Sequence, residues 1–176
     1  HVSLVFLPEE DSARLQRAAR DKHLALALLA GKYSANAYAF GTRYQNCNGW
    51  VAELIASAWS GFTGTDGTRE HAQAWLRAQG YTAGPVKVPS HLLMFAGQFV
   101  PLVHMADHPV DDLYALALQV NVPTSIEDFV RRQAPQARRV ELCHDEGRIV
   151  VHRGWEQLGA ECRPREGDVV IALTEP

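Results

Sequence analysis

No stretch of this sequence stays apolar for anything near the roughly 20 residues that a membrane-spanning helix needs, which excludes a transmembrane segment. Positive charge is not in surplus either. Seventeen Lys and Arg stand against twenty Asp and Glu, for a formal net charge of -3. The densest basic pairs, Arg131-Arg132 and Arg138-Arg139, carry no interleaved aromatics. A nucleic-acid partner is therefore not expected, because the basic stripe that would hold phosphates is missing. There is no initiator Met and no leader. The chain opens on His1-Val2-Ser3, already inside an apolar run, so a segment upstream is expected.

Cysteine is sparse: Cys47, Cys143 and Cys162 are the three. An odd count leaves at least one thiol outside any intrachain disulfide. Cys143 and Cys162 both lie near turn signals in the C-terminal segment and are the candidate pair, which makes Cys47 the free thiol. That division favours a periplasmic or secreted protein, although three reduced cytosolic thiols would read the same way.

What is present is enough for one core, or one core with a small satellite: 176 residues, 47% of them hydrophobic. "VSLVFLP" reads as a strand ended by Pro8. The spacing of Leu15, Ala18, Ala19, Leu26 and Leu29 predicts one helix from about Ser12 to Leu29. Residues 32–45 are rich in Tyr, Asn, Ser and Gly without a period, and predict a loop. Val51, Leu54, Ile55, Ala58 and Trp59 form an apolar stripe, with Cys47 on its first turn. "TREHAQAWLRAQG" predicts a helix capped by Thr68 or Asp66. "PSHLLMFAGQF" predicts a short one, with His91 as its cap. "LYALALQV" (113–120) reads as a buried strand, and "PTSIEDFVRRQAP" as a capped helix that Pro135 ends. "RRVELC", "RIVVHRG" and "DVVIAL" predict an antiparallel meander, the first two joined by the turn "HDEG". Helices first and strands last make the class α+β.

Cys47 has two readings. Free Cys is among the most buried residue types, so it can be plain packing. Its place at a helix mouth points the other way. The unpaired N–H groups and the positive end of the helix dipole favour a thiolate and can hold an oxyanion beside it. The preceding polar residues Tyr44, Gln45 and Asn46 suit a substrate cleft.

Asn46-Cys47, Trp50-Val51, Glu53-Leu54 and the downstream "ASAW" resemble the nucleophile block of circularly permuted papain-like hydrolases, the NlpC-type and lecithin:retinol-acyltransferase-like branch. "KYSANAYAFGTRYQNCNGWVAELIA" and "VELCHDEGRIVVHRGWE" are similar to a bacterial exported family of unknown function in that branch. The resemblance implies one papain-like domain over 1–176. Its helical part, to about residue 100, carries the nucleophile helix. That helix packs on an antiparallel sheet from about residue 101. The implied function is a cysteine-dependent hydrolase or acyltransferase on an amide or ester, through a thioester on Cys47. The implied substrate is a cell-wall peptide or a lipid acyl group, with no cofactor. Tyr44, Gln45 and Asn46 are the candidate substrate contacts.

The branch places its general-base His upstream of the Cys, in a context that "HVSLVF" fits. His1 is therefore one candidate base, and a His on a lost upstream strand is the other. Downstream, "VHMADHP" offers His104 and His108, with Asp107 to orient either. The same trio falls short of a closed metal set, so no metal is expected. His144 and His152 read as surface residues, and Trp50, Trp59 and Trp75 as core. A second class of function is a non-catalytic exported binding module that keeps the fold and lacks the base.

Overall fold

A computed structural model describes residues 1–62, 67–145 and 147–173. In chain order its elements are β1 (Val2–Phe6), α1 (Glu9–Arg20), α2 (Lys22–Ala27), α3 (Cys47–Ser60), α4 (Thr68–Ala78), β2 (Gly84–Lys87), α5 (His91–Gly97), α6 (Val110–Tyr114), β3 (Ala117–Val120), α7 (Pro123–Gln133), β4 (Arg138–Asp145), β5 (Arg148–Arg153) and β6 (Val169–Ala172). The class is α+β with antiparallel sheets. No described helix is long and apolar enough to cross a membrane. The chain divides into two compact units. One joins His1–Ser12 to Gln133–Pro176, and the other is Ala13–Arg132. The sheet part expected from about residue 101 thus starts at 133 and takes in the N-terminal strand.

The sheet unit is the expected meander with one addition. Its strand order is β1-β4-β5-β6, all antiparallel, with Val2 opposite Leu142 and Asp145 opposite Arg148. Glu146, within the predicted turn, lies outside the described residues. Alternation puts Arg139, Glu141 and Cys143 of β4 inside, with Val150 and His152 of β5. Two charges on an inward face need each other, and Arg139 Nη1 lies 3.0 Å from Glu141 Oε2. Cys143, Val150, Leu158 and Cys162 form the apolar core of this unit.

His144 is exposed as expected, but His152 is buried. Its Nδ1 lies 2.7 Å from Asp168 Oδ1. Burial pushes the Asp168 carboxyl up. The Arg165 backbone N–H, the His152 ring and the Arg165 charge outweigh that, and hold the carboxyl below its ordinary value of 3.8. A carboxyl lowered on folding stabilises above its unfolded pKa, and that stability is lost as pH falls through the folded value. Urea midpoints of wild type and Asp168→Asn should therefore differ at pH 7 and converge as pH drops below 3.8.

The helical unit departs from the sequence reading in four places. The single helix over 12–29 is two, because Asp21 Oδ1 accepts the N–H groups of His23 (2.9 Å) and Leu24 (3.2 Å) and starts a new helix. The cap of α4 is Gly67 in the left-handed region (φ 64°), not Thr68, and Asp66 lies outside the described residues. Ser90, not His91, caps α5 by accepting the Leu93 N–H at 3.2 Å. The buried strand over 113–120 is instead the end of α6 followed by β3, which pairs antiparallel with β2. Phe129, Leu76 and Leu28 are fully buried. Phe129 meets Tyr81 (5.4 Å), Trp75 (5.9 Å) and Trp59 (6.4 Å), and Trp59 and Trp75, expected in the core, are half-buried against it.

Candidate active site

Cys47 is the first residue of α3, and Asn46 before it is extended (φ -102°, ψ 173°) and caps the helix. Asn46 Oδ1 accepts the Gly49 N–H at 2.7 Å. Its Nδ2 donates to the carbonyls of Asn121 (3.0 Å) and Ala35 (3.3 Å). Asn121 is itself fixed, accepting from the Tyr81 hydroxyl at 2.7 Å and donating to Ala39 O at 3.3 Å. Burial pushes the Tyr81 hydroxyl well above its ordinary pKa, so it remains a neutral donor. Position 49 must be small. A Cβ there would lie 3.1 Å from Asn121 Nδ2 and 3.2 Å from Asn46 Oδ1. Gly49→Ala is therefore expected to push on the cap and destabilise, read as a lower melting temperature.

The loop before Cys47 is clamped from behind. Glu53 and Arg69 are buried together, with Arg69 Nε 2.8 Å from Glu53 Oε2 and Nη2 3.0 Å from Oε1. Gln45 and Gln73 each donate to the same carboxylate at 2.8 Å. Arg69 also donates to the carbonyls of Thr42 (2.5 Å), Gly41 (3.2 Å) and Tyr44 (3.3 Å). Every oxygen and nitrogen of the pair is thus occupied, as a buried ion pair requires.

The thiol itself is free and exposed. The predicted stripe is rotated. Val51 is exposed, while Ala52, Glu53, Ala56 and Ser57 are buried with Leu54 and Ile55. Glu53 and Ser57 can face inward because both are hydrogen-bonded there. The rotation leaves Cys47 and Val51 on the open edge. They line a mainly apolar cleft of about 420 Å³ with Leu29, Tyr33 and Trp50. Trp50, expected in the core, stands in this wall and donates its indole N–H to Ala25 O at 3.1 Å. With Gly49 N–H taken by Asn46, the first-turn amides of Cys47 and Asn48 have no intrahelical acceptor.

Tyr44, Gln45 and Asn46 are buried. Gln45 donates to Leu28 O and accepts from Ala30 N–H. Gln45 and Asn46 line the cleft beside the thiol, while Tyr44 lines another with His104. The His104 ring stacks on Tyr44, centroids 4.5 Å apart. Its backbone N–H donates to Ser34 Oγ and Asn36 Oδ1, both at 3.0 Å. Asp107 Oδ2 accepts the Tyr38 N–H at 3.0 Å, and His108 Nε2 lies 2.7 Å from Asn36 O. His108 and Asp107 thus hold the 36–38 loop. Among the described residues, the ligand atoms of His104, Asp107 and His108 do not gather as a metal group. His1 Nδ1 lies 2.8 Å from Glu141 Oε1, and its Nε2 lies 3.0 Å from Cys143 Sγ. Cys143 and Cys162 are disulfide-bonded, Cα atoms 5.6 Å apart, within the usual reach of such a bond. Among the described residues, no imidazole hydrogen-bonds to the Cys47 thiol.

The clamp and Glu141 were not anticipated. A lone Glu at position 53 within the apolar run "VAELIASAW" was the signal for the first, because an acid on a buried helix requires a cation. A family described as an uncharacterized protein conserved in bacteria (DUF2145) matches residues 1–130. No curated protein and no solved structure matches the chain.

Proposed function

The chain belongs to that bacterial family (DUF2145), and we propose that it is a cysteine-dependent hydrolase or acyltransferase of papain-like type, exported, with Cys47 as nucleophile. The observation that carries this reading is the exposed thiol at the first turn of a capped 14-residue helix, opening on an apolar cleft. A thiol needing only to be packed would be buried. The sulfur attacks a carbonyl carbon seated in the cleft. The oxyanion is held by the Cys47 and Asn48 amides, whose positions Asn46 fixes. The leaving amine or alkoxide departs, and water or an acceptor resolves the thioester. The apolar lining favours an acyl chain, or an apolar side chain beside the scissile bond.

Within the helical unit, His104 is the imidazole stacked against the loop that delivers Cys47. It is the base to test first. The experiment is a panel of peptide amides and acyl esters, scored for release and for acyl mass trapped on the protein. Turnover is expected in wild type, and loss of both signals in Cys47→Ala. His104→Ala should lower turnover by roughly 10²–10⁴-fold, the range for a general base. An acyl adduct that persists in Cys47→Ala would overturn the reading.

A further inference from the structure

The sheet unit holds a second constellation of sulfur and nitrogen that the Cys47 chemistry does not use. Cys143 and Cys162 are buried, and the described His1, Cys143 and Cys162 ligand atoms lie within 4.8 Å of one another. His1 Nε2 is 3.0 Å from Cys143 Sγ and 3.9 Å from Cys162 Sγ. Two thiolates and an imidazole around a tetrahedral ion sit about 3.5 Å apart, from bond lengths of about 2.3 and 2.0 Å. The two separations from His1 to the sulfurs bracket that value, and the sulfurs, bonded to each other, must part before both can bind an ion.

An independent observation lies behind the imidazole. Its Nδ1 is 2.8 Å from Glu141 Oε1, and in the neutral ring with the proton on Nδ1 the Nε2 lone pair faces the sulfurs. Glu141 cannot swing away. Its Oε2 accepts the Leu158 N–H at 3.0 Å and pairs with Arg139 at 3.0 Å. A carboxylate that orients a histidine from its far nitrogen is the usual support of a metal-bound imidazole. The His1 side chain is 39% exposed, which gives an ion a way in.

We propose that Cys143, Cys162 and His1 form a redox-gated site for a divalent cation of the zinc class, with Glu141 as the positioning residue. In the oxidised protein the sulfurs are bonded to each other and cannot act as thiolates. A dithiol reductant opens the site. Its two thiols become a disulfide, and Cys143 and Cys162 become thiols. Binding M²⁺ then releases their two protons to solvent and forms two M–S bonds and one M–N bond. The fourth position is left for water, an arrangement with three protein ligands and an open place. This revises the expectation, drawn from the sequence, that no metal binds.

The test titrates Co²⁺ into the reduced full chain under argon, in a Cys47→Ser background that removes the third thiol. One equivalent should bind, with thiolate-to-cobalt charge-transfer absorption in the near ultraviolet and d–d bands in the visible, displaced by Zn²⁺. The oxidised protein should give neither band. Glu141→Gln should weaken binding by roughly 10–100-fold, and His1→Ala by at least as much. If reduction alone unfolds the sheet unit, Co²⁺ must restore its far-ultraviolet circular dichroism. Absence of thiolate bands in folded reduced protein, failure of Co²⁺ to restore an unfolded one, or unchanged affinity in His1→Ala would each overturn the proposal.

Discussion

Replacing Glu53 with Ala is expected to cost about 3–5 kcal/mol, the range for breaking a buried pair by removing one partner. The Arg69 guanidinium would stay buried with its charge uncompensated, and Gln45 and Gln73 would each lose an acceptor. Arg69→Ala should cost a similar amount, because it strands the Glu53 carboxylate and releases the carbonyls of Gly41, Thr42 and Tyr44. Glu53→Leu with Arg69→Met should cost clearly less than the two single losses added, since neither charge is left alone. Urea midpoints for Glu53→Leu, Arg69→Met and the double that combines them give the coupling directly. The clamp also bears on function. It ties the 41–45 loop to α3, so, under the proposed function, activity lost in the double variant should be lost through a looser Cys47 rather than through unfolding. A double-variant loss equal to the sum of the two single losses would mean that the pair is not coupled.

The second large effect is on chemistry rather than stability. Under the proposed function, Cys47→Ala should abolish thioester formation while changing stability by no more than about 0.5 kcal/mol, as expected at an exposed position. Cys47→Ser should behave the same way, its hydroxyl being solvated. A packed cysteine would respond in the opposite sense, with a cavity cost for Ala and an unpartnered hydroxyl for Ser. Melting curves beside acyl-trapping mass spectra separate the two in one experiment. A melting temperature several degrees lower with no change in trapping would mean that Cys47 serves the fold.

How far the sequence foretold this molecule varies with the range of the interactions involved. The meander was legible because alternation is local, and Cys143 and Cys162 sit where the turns return the chain. The start of α3 was legible from Asn46, a good cap in front of an apolar run. The face of α3 was not. The stripe counted Val51 as inside, but the buried Glu53 network turns the helix so that Val51 and Cys47 face out. That network needs Arg69 and Gln73, brought in from another helix, and no period reports such a partner. The break at Asp21 was missed because helical spacing continues across it, while a side-chain cap interrupts the backbone. β2 was missed because "GPVK" is too short to show alternation. His152 read as surface because its partner, Asp168, lies 16 residues on.

The nucleophile assignment rests on one sulfur, so the most direct measurement is its rate of alkylation in the native protein. Iodoacetamide should modify Cys47 faster than it modifies glutathione in the same buffer, because the sulfur is exposed at the first turn of a capped helix, where an activated nucleophile would stand. The advantage should shrink when Asn46→Ala loosens the cap that positions that turn. Alkylation at or below the rate of the free thiol, unchanged by Asn46→Ala, would contradict the account.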